Sequence, residues 1–385
     1  MLYFRVSAMG SRSRKCSGVG DISFAERKIV MSSWENNVRK VVPYTPGEQP
    51  KEKNIIKLNT NENPYPPSPA AKAALEAFDS DDMRLYPAPD AAELVDAIAE
   101  TYHVKPDQVF VGVGSDDVIS MAFMTFFNSD KPVLFPDITY SFYDVWAEVY
   151  GIPYKRIPLT ADFRINAGDY SQPNGGIIFP NPNAPTGVLE STEMIESVIK
   201  ANPDSVVIID EAYIDFGGTS VLPLIEKYEN LLVVQTFSKS RNMAGMRIGF
   251  AFGSKKLIKY MNDVKFSVNS YTMNRVTIKC GAAAVRDGEY FRATCAKIIG
   301  TRENAKKRLS QLGFTFPDSM SNFIFAKHKT ASAKTIFEEL KKRKIFVRYW
   351  NKPIICDYLR ITVGTDNEMQ ALYDALEEIL KEAAK

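Results

Sequence analysis

Between about residues 50 and 270, short runs of apolar, mostly β-branched residues alternate with stretches in which apolar positions recur every three or four residues. Strands that cross over through helices produce this alternation, so the segment predicts a mostly parallel sheet with both faces covered. The expected strands are 109–111, 133–135, 177–179, 206–209, 231–234 and 248–252, and residues 91–102, with Leu94, Ile98 and Tyr102 on one face, predict a covering helix. Beyond residue 270 the pattern becomes mixed. Ile336, Phe337 and Leu340 share a face of a helix over 333–342. The last helix opens with the capping-box pattern Thr365-Asp366-Asn367-Glu368 and continues with Met369, Leu372, Leu376 and Ile379 at helical spacing.

The expected architecture is α/β: a large domain with a mostly parallel sheet in an α/β/α sandwich over 46–268, and a smaller α+β domain over 269–385. An extension and arm, 1–45, precede them. Residues 1–30 are basic, rich in Ser and Gly, and lack the apolar core of a secretory signal. They are expected to be poorly ordered, with a natural start near Met31. Asp21 and Glu26 interrupt the basic run and weaken a transit-peptide reading.

Composition narrows the chemistry. In 385 residues, 45% hydrophobic and 24% charged, no stretch approaches the roughly 18 apolar residues of a membrane span. The 48 basic and 46 acidic residues leave a formal charge of +2, which gives no global attraction to nucleic acid or membrane and favours small-molecule substrates. Cys16, Cys280, Cys295 and Cys356 have neither CxxC spacing nor the density of a disulfide scaffold, so a reducing cytoplasm is expected. His103 and His328 are the only histidines. No metal site is expected, and catalysis has to rest on other groups.

The polar residues of interest follow strand ends, where ligands of open α/β sheets bind. Lys239 follows an apolar strand in Thr236-Phe237-Ser238-Lys239-Ser240-Arg241, where it can be partly desolvated and offer a neutral amine to an aldehyde; taken alone, a solvated loop lysine is the commoner reading, and only the other elements turn it. Asp210 ends Val206-Val207-Ile208-Ile209-Asp210-Glu211-Ala212-Tyr213. A carboxylate at such a buried end needs a cation or donors, and a protonated ring nitrogen is a suitable partner; a helix cap is the structural alternative. Tyr213, three residues on, could reach a phenolic oxygen on such a ring; an ordinary half-buried tyrosine is the alternative. Gly112-Val113-Gly114-Ser115-Asp116-Asp117 precedes a helical pattern whose free N–H groups, with the Ser115 hydroxyl, suit a phosphate. It lacks the lysine of a P-loop and the third glycine of a dinucleotide fingerprint. Arg247 and Arg360 are candidate anion binders, Arg360 because it interrupts an apolar strand in Tyr358-Leu359-Arg360-Ile361-Thr362-Val363.

Taken together and in this order, Leu58-Asn59-Thr60-Asn61-Glu62-Asn63-Pro64, Tyr86-Pro87, Gly114-Ser115-Asp116, Pro182-Asn183-Ala184-Pro185-Thr186-Gly187, Asp210-Glu211-Ala212-Tyr213, Ser238-Lys239 and Leu359-Arg360-Ile361-Thr362-Val363-Gly364-Thr365 resemble the fold-type I aminotransferases of the aspartate aminotransferase superfamily. Within it the chain is most similar to the histidinol-phosphate aminotransferases. The resemblance runs from Pro43 onward. It implies the PLP-dependent transferase fold and pyridoxal 5'-phosphate (PLP) as cofactor, held by Lys239 as a Schiff base. Asp210 would pair with the ring nitrogen, Tyr213 with the phenolic oxygen, and Tyr140 would stack on the ring. The Ser115 and Asp116 backbone, Ser238, Arg247 and a partner subunit's Tyr86 would hold the phosphate in a homodimer with shared sites.

Where the family commonly carries Asn directly before Pro-Thr-Gly, this chain has Ala184, and Asn183 is expected to substitute by a small backbone shift. The implied reaction transfers the amino group of L-histidinol phosphate to 2-oxoglutarate. Arg360 would take the substrate anions, with Arg348, Tyr44, Asn183 and Tyr86 beside it. An aromatic or broad-specificity aminotransferase, or a phospho-amino-acid decarboxylase of the same fold, shares this cofactor shell and stays open on sequence alone.

Overall fold

The computed structural model describes residues 33–383; the expectations for 1–30 and the start near Met31 lie outside them. Residues up to Lys40 form a unit apart from Val41–Lys385, and within it the short 3-10 turn Ser33–Asn37 is described.

The main sheet of the second unit has seven strands: β1 (Val109–Gly112), β2 (Val133–Pro136), β3 (Tyr154–Ile157), β4 (Gly176–Pro180), β5 (Val207–Asp210), β6 (Leu231–Thr236) and β7 (Gly249–Gly253). They lie in the order β1-β7-β6-β5-β4-β2-β3, and only β7 runs against its neighbours. Successive strand residues point to opposite faces. Ile177, Phe179, Val207, Ile209, Leu231 and Val233 therefore enter one core, while Ile178, Ile208, Leu232 and Val234 enter a second. Burial on both faces is why these strands read as continuous apolar runs rather than alternating ones. Helices α1 (Pro69–Glu76), α2 (Ala92–Tyr102), α5 (Thr192–Ala201) and α7 (Arg275–Arg286) fill the first face. Helices α3 (Ser115–Phe126), α4 (Tyr143–Tyr150) and α6 (Lys255–Val268) fill the second.

A four-stranded antiparallel sheet lies later in the chain: β8 (Phe314–Thr315), β9 (Phe323–His328), β10 (Arg348–Tyr349) and β11 (Leu359–Thr362), in the order β10-β11-β9-β8. It shares a core with α8 (Gly288–Gln311), α9 (Ala333–Lys342) and α10 (Asp366–Ala383). The capping box is formed as expected: the Glu368 carboxylate accepts the Thr365 N–H at 2.7 Å, and the Thr365 hydroxyl accepts the Glu368 N–H at 3.3 Å.

Two features cut across a simple division of the chain at residue 268. Ile278, Cys280, Ala282, Ala284 and Val285 of α7 belong to the large sheet's core, so the chain changes cores at the α7–α8 junction. Conversely, Ile56–Lys57 pairs in parallel with Ile345–Phe346, and Leu58 is buried in the small sheet's core. The sequence 56–61 thus bridges the two sheets.

Candidate active site

The parallel strands deliver the predicted residues to one edge. Asp210 is the last residue of β5, Lys239 lies three residues past β6, Ser115 begins α3 after β1, and Tyr140 follows β2. A cavity of about 340 Å3 is lined by Ser115, Asp116, Tyr140, Asp210, Tyr213, Ser238, Lys239 and Arg247. A second, of about 150 Å3, is lined by Tyr44, Arg348, Trp350 and Arg360. The two share Thr60, Tyr140, Ala184, Tyr213 and Lys239, so the lysine stands where they meet.

Lys239 is half-buried, and its Nζ donates to the Thr60 carbonyl at 3.3 Å. Among the described residues it is held by this carbonyl and not by an ion pair with a carboxylate. Asp210 is buried, and burial pushes its carboxyl up to about 6, although the Tyr143 hydroxyl (2.9 Å) and the Ala212 N–H (3.2 Å) donate to it and pull the other way. Burial also keeps the Tyr143 phenol well above its usual range, so it serves as a donor. A cation in the cavity would relieve the remaining desolvation of Asp210.

At the opposite wall, Gly114 precedes α3 without a side chain to cap it, leaving the first-turn N–H groups available to an anion. Two glycines make this wall. Gly114 has φ +87°, and a Cβ there would run into the Arg247 guanidinium. A Cβ on Gly249 would fall inside the backbone of Gly114 and Ser115. Arg247 is exposed and contacts Asp116 at 3.3 Å, and the same carboxylate accepts the Tyr140 hydroxyl at 2.7 Å. Asp116 therefore positions both groups with its side chain, beyond the backbone role expected of it.

In the second cavity, Arg348 and Arg360 are direct cross-strand partners on β10 and β11. Like charges so placed repel. Trp350 moderates this, its ring lying 5.3 Å from one guanidinium and 5.2 Å from the other. Arg348 donates to the Thr45 and Pro46 carbonyls, both at 3.2 Å, and Arg360 to the Asn59 carbonyl at 3.1 Å. Burial lowers the pKa of Arg360, and its buried Nε finds no partner among the described residues. A bound anion would supply both the missing acceptor and the missing charge. Tyr44 completes the wall, stacked on Phe142 at 4.2 Å.

Two expected residues stand elsewhere. Asn183 lines neither cavity. Its amide nitrogen donates to the Ile138 carbonyl and the Thr186 hydroxyl, both at 3.0 Å, so the loop already employs the group that was to substitute at Ala184. Ala184 itself lines both cavities. Tyr86 is 78% exposed, pairs with Tyr271 at 4.7 Å and lies beside neither cavity of its own chain. Conversely, Tyr143, Glu62 and Asn61 reach the site without having been assigned to it. Asn61 and Glu62 sit in the Asn-rich motif and were legible as a cluster, whereas Tyr143 carries no local signal beyond its spacing from Tyr140.

An amine, a buried carboxylate, a phenol and an anion cradle around one cavity fit a molecule with an aldehyde, a basic ring nitrogen, a phenolic oxygen and a phosphate. Comparisons with known proteins agree. The sequence profile described as Aminotransferase class I and II matches residues 53–376. The histidinol-phosphate aminotransferase of Lactococcus lactis subsp. cremoris (strain MG1363) is 52% identical over 353 residues, 92% of this chain and 99% of that protein. Histidinol-phosphate aminotransferase 1 of Hydrogenovibrio crunogenus is 52% identical over 348 residues, 90% of this chain and 98% of that one. The crystal structure of histidinol-phosphate aminotransferase from Sinorhizobium meliloti in complex with pyridoxal-5'-phosphate superposes with a TM-score of 0.79 at 22% identity, covering 86% of this chain and 91% of the other, and shows the shared fold.

Proposed function

The chain belongs to the class I and II aminotransferases, and on that premise we propose that it transfers the amino group of L-histidinol phosphate to 2-oxoglutarate, with PLP as cofactor, in histidine biosynthesis. The observation that carries this reading is Lys239 at the junction of two cavities, one leading to Asp210 and the other to the paired arginines. The 52% identity to named histidinol-phosphate aminotransferases supports the choice of substrate.

Lys239 would hold the cofactor through its aldehyde carbon, Asp210 would face the ring nitrogen, Tyr213 the phenolic oxygen, and Tyr140 the ring. Ser115, Asp116, Ser238 and Arg247 would hold the phosphate. When bound, PLP supplies an electron sink for the pair left on the substrate carbon by proton loss. Lys239 Nζ, standing where the two cavities meet, would serve as the base that takes the proton from the amine-bearing carbon of the substrate and as the acid that gives it back. Asp210, kept from water by β5 and Tyr143, favours the protonated ring nitrogen that such a sink requires. Arg360 and Arg348 bind the substrate's anionic end: the phosphate of histidinol phosphate in one half-reaction and the carboxylate of glutamate in the other. Tyr44 and Trp350 line the same cavity beside them.

The proposal extends to assembly. Tyr86 lies on an exposed apolar patch with Met83, Leu85 and Tyr271, which fits a contact with a second copy whose phosphate cradle it completes. The cytoplasm is proposed as its compartment from the free thiols of Cys280, Cys295 and Cys356. Replacing Arg360 with Lys tests the substrate assignment. The expected result is a rise of about tenfold to a hundredfold in KM for both histidinol phosphate and glutamate, since a point charge replaces a planar fork. Unchanged KM values would remove Arg360 from the anion site.

A further inference from the structure

Tyr213 lines both cavities, and the use of its hydroxyl is decided by residues behind it. Asn61 Nδ2 lies 2.9 Å from the Tyr213 oxygen. Which end of that amide faces the tyrosine is fixed one link further on. The Thr362 hydroxyl accepts the backbone N–H of Asn61 at 3.0 Å, which leaves its own proton for Asn61 Oδ1 at 3.1 Å. With Oδ1 engaged by Thr362, Nδ2 faces Tyr213 and donates to it. The Tyr213 hydroxyl therefore accepts on this side and keeps its proton, for which the described residues provide no acceptor.

From this chain of bonds we infer that Asn61 and Thr362 are positioning residues that hold Tyr213 as a hydrogen-bond donor toward the cavity containing Lys239 and Asp210. The inference rests on the PLP reading above, in which the acceptor is the cofactor's phenolic oxygen. The chain is rigid. Asn61 and Thr362 are 1% and 2% exposed, and the Asn61 carbonyl is held by Asn322 Nδ2 at 3.0 Å. Asn61 has φ +56°, in the left-handed region that Asn and Asp tolerate better than other side-chain-bearing residues. A residue there has to meet both demands, the backbone's and the amide's. Thr362 stands two residues beyond Arg360 on β11, so both side chains leave the same face of that strand. One strand of the small sheet thus carries the arginine for the substrate anion and sets the polarity of a phenol at the large sheet's edge.

Asn61→Asp keeps the left-handed backbone and the size but offers only acceptors when ionised, so the tyrosine's proton turns toward it. Thr362→Val removes the anchoring hydroxyl without adding charge, and Thr362→Ser restores it. The measurement is the dissociation constant of each apoprotein, by quenching of intrinsic fluorescence, for PLP and for the analogue in which hydrogen replaces the phenolic hydroxyl. Asn61→Asp and Thr362→Val are expected to weaken PLP by about tenfold, the loss of one hydrogen bond to a charged group, while leaving the analogue within about twofold. Thr362→Ser is expected to stay near the parent. Equal weakening of both ligands, or of neither, overturns the inference. Tyr213→Phe separates the two levels: if it fails to discriminate the ligands, the placement of Tyr213 against the phenolic oxygen falls. If it discriminates and the Asn61 and Thr362 variants do not, the positioning role alone falls. Circular dichroism and melting verify the fold, and the Thr362 pair decides should Asn61→Asp not fold.

Discussion

At the scale of single residues, the site is a set of groups whose burial creates needs that one ligand meets. Lys239→Ala is expected to abolish the visible absorption of lysine-bound PLP and to cut turnover by about a hundredfold or more, the scale of a lost proton carrier; retention of both contradicts the assignment. Asp210→Asn removes the charge proposed to face the ring nitrogen, and stopped-flow measurement should find the first half-reaction slowed by roughly a hundredfold with the melting curve little changed. Burial also holds two carboxyls up, Asp210 to about 6 and Glu211 to about 7. Unfolded, both ionise near about 4, so between there and about 7 the folded apoprotein binds more protons. The stability this gives is complete below the unfolded value and is lost as pH rises through the folded ones. The Tm of the apoprotein should therefore fall from pH 5 to pH 8, less steeply in Glu211→Gln; a Tm that rises over this window refutes the burial argument. Lys239, Asp210 and Arg360 were legible in the sequence because each ends, follows or interrupts an apolar run. Asn61, Thr362 and Tyr143 had no assigned role there, because what they do depends on partners as far as 301 residues away.

At the scale of elements, the six expected strands appear within a residue or two because a strand buried on both faces writes its length as an apolar run. β3, Tyr154–Ile157, escaped because it lies at the sheet edge with Lys155 and Arg156 exposed, which left no apolar run to read. The two-residue pairing of Ile56–Lys57 with Ile345–Phe346 is equally silent, its partners being far apart in sequence. The junction of β7 with the α3 turn carries a prediction. Gly249→Ala would press a methyl into the backbone of Gly114 and Ser115, which cannot yield as a flexible side chain would. Overpacking of this kind costs about 1–3 kcal/mol. Because it acts on the phosphate cradle, equilibrium dialysis should show PLP affinity lowered by about tenfold or more; unchanged affinity would mean that this turn does not hold the phosphate.

At the scale of the molecule, two sheets with separate cores meet around one lysine, and the segment 56–61 ties them together. This tie explains why the site draws on the Asn-rich motif near the start of the described chain and on the strand near its end. The proposed homodimer with shared sites has a direct consequence: mixing Lys239→Ala with Tyr86→Ala subunits, each poorly active alone, should restore activity to one site per mixed dimer in a steady-state assay, and the absence of recovery would place Tyr86 outside the site. The central claim, an aminotransferase whose arginine pair selects a phosphorylated amine, is tested most directly by titrating the purified PLP-loaded enzyme with L-histidinol phosphate, phenylalanine and threonine phosphate while following its visible spectrum. The account predicts that histidinol phosphate bleaches the lysine-bound absorption at far lower concentration than phenylalanine, with no carbon dioxide released from threonine phosphate. Equal response to phenylalanine, or decarboxylation of threonine phosphate, would contradict it.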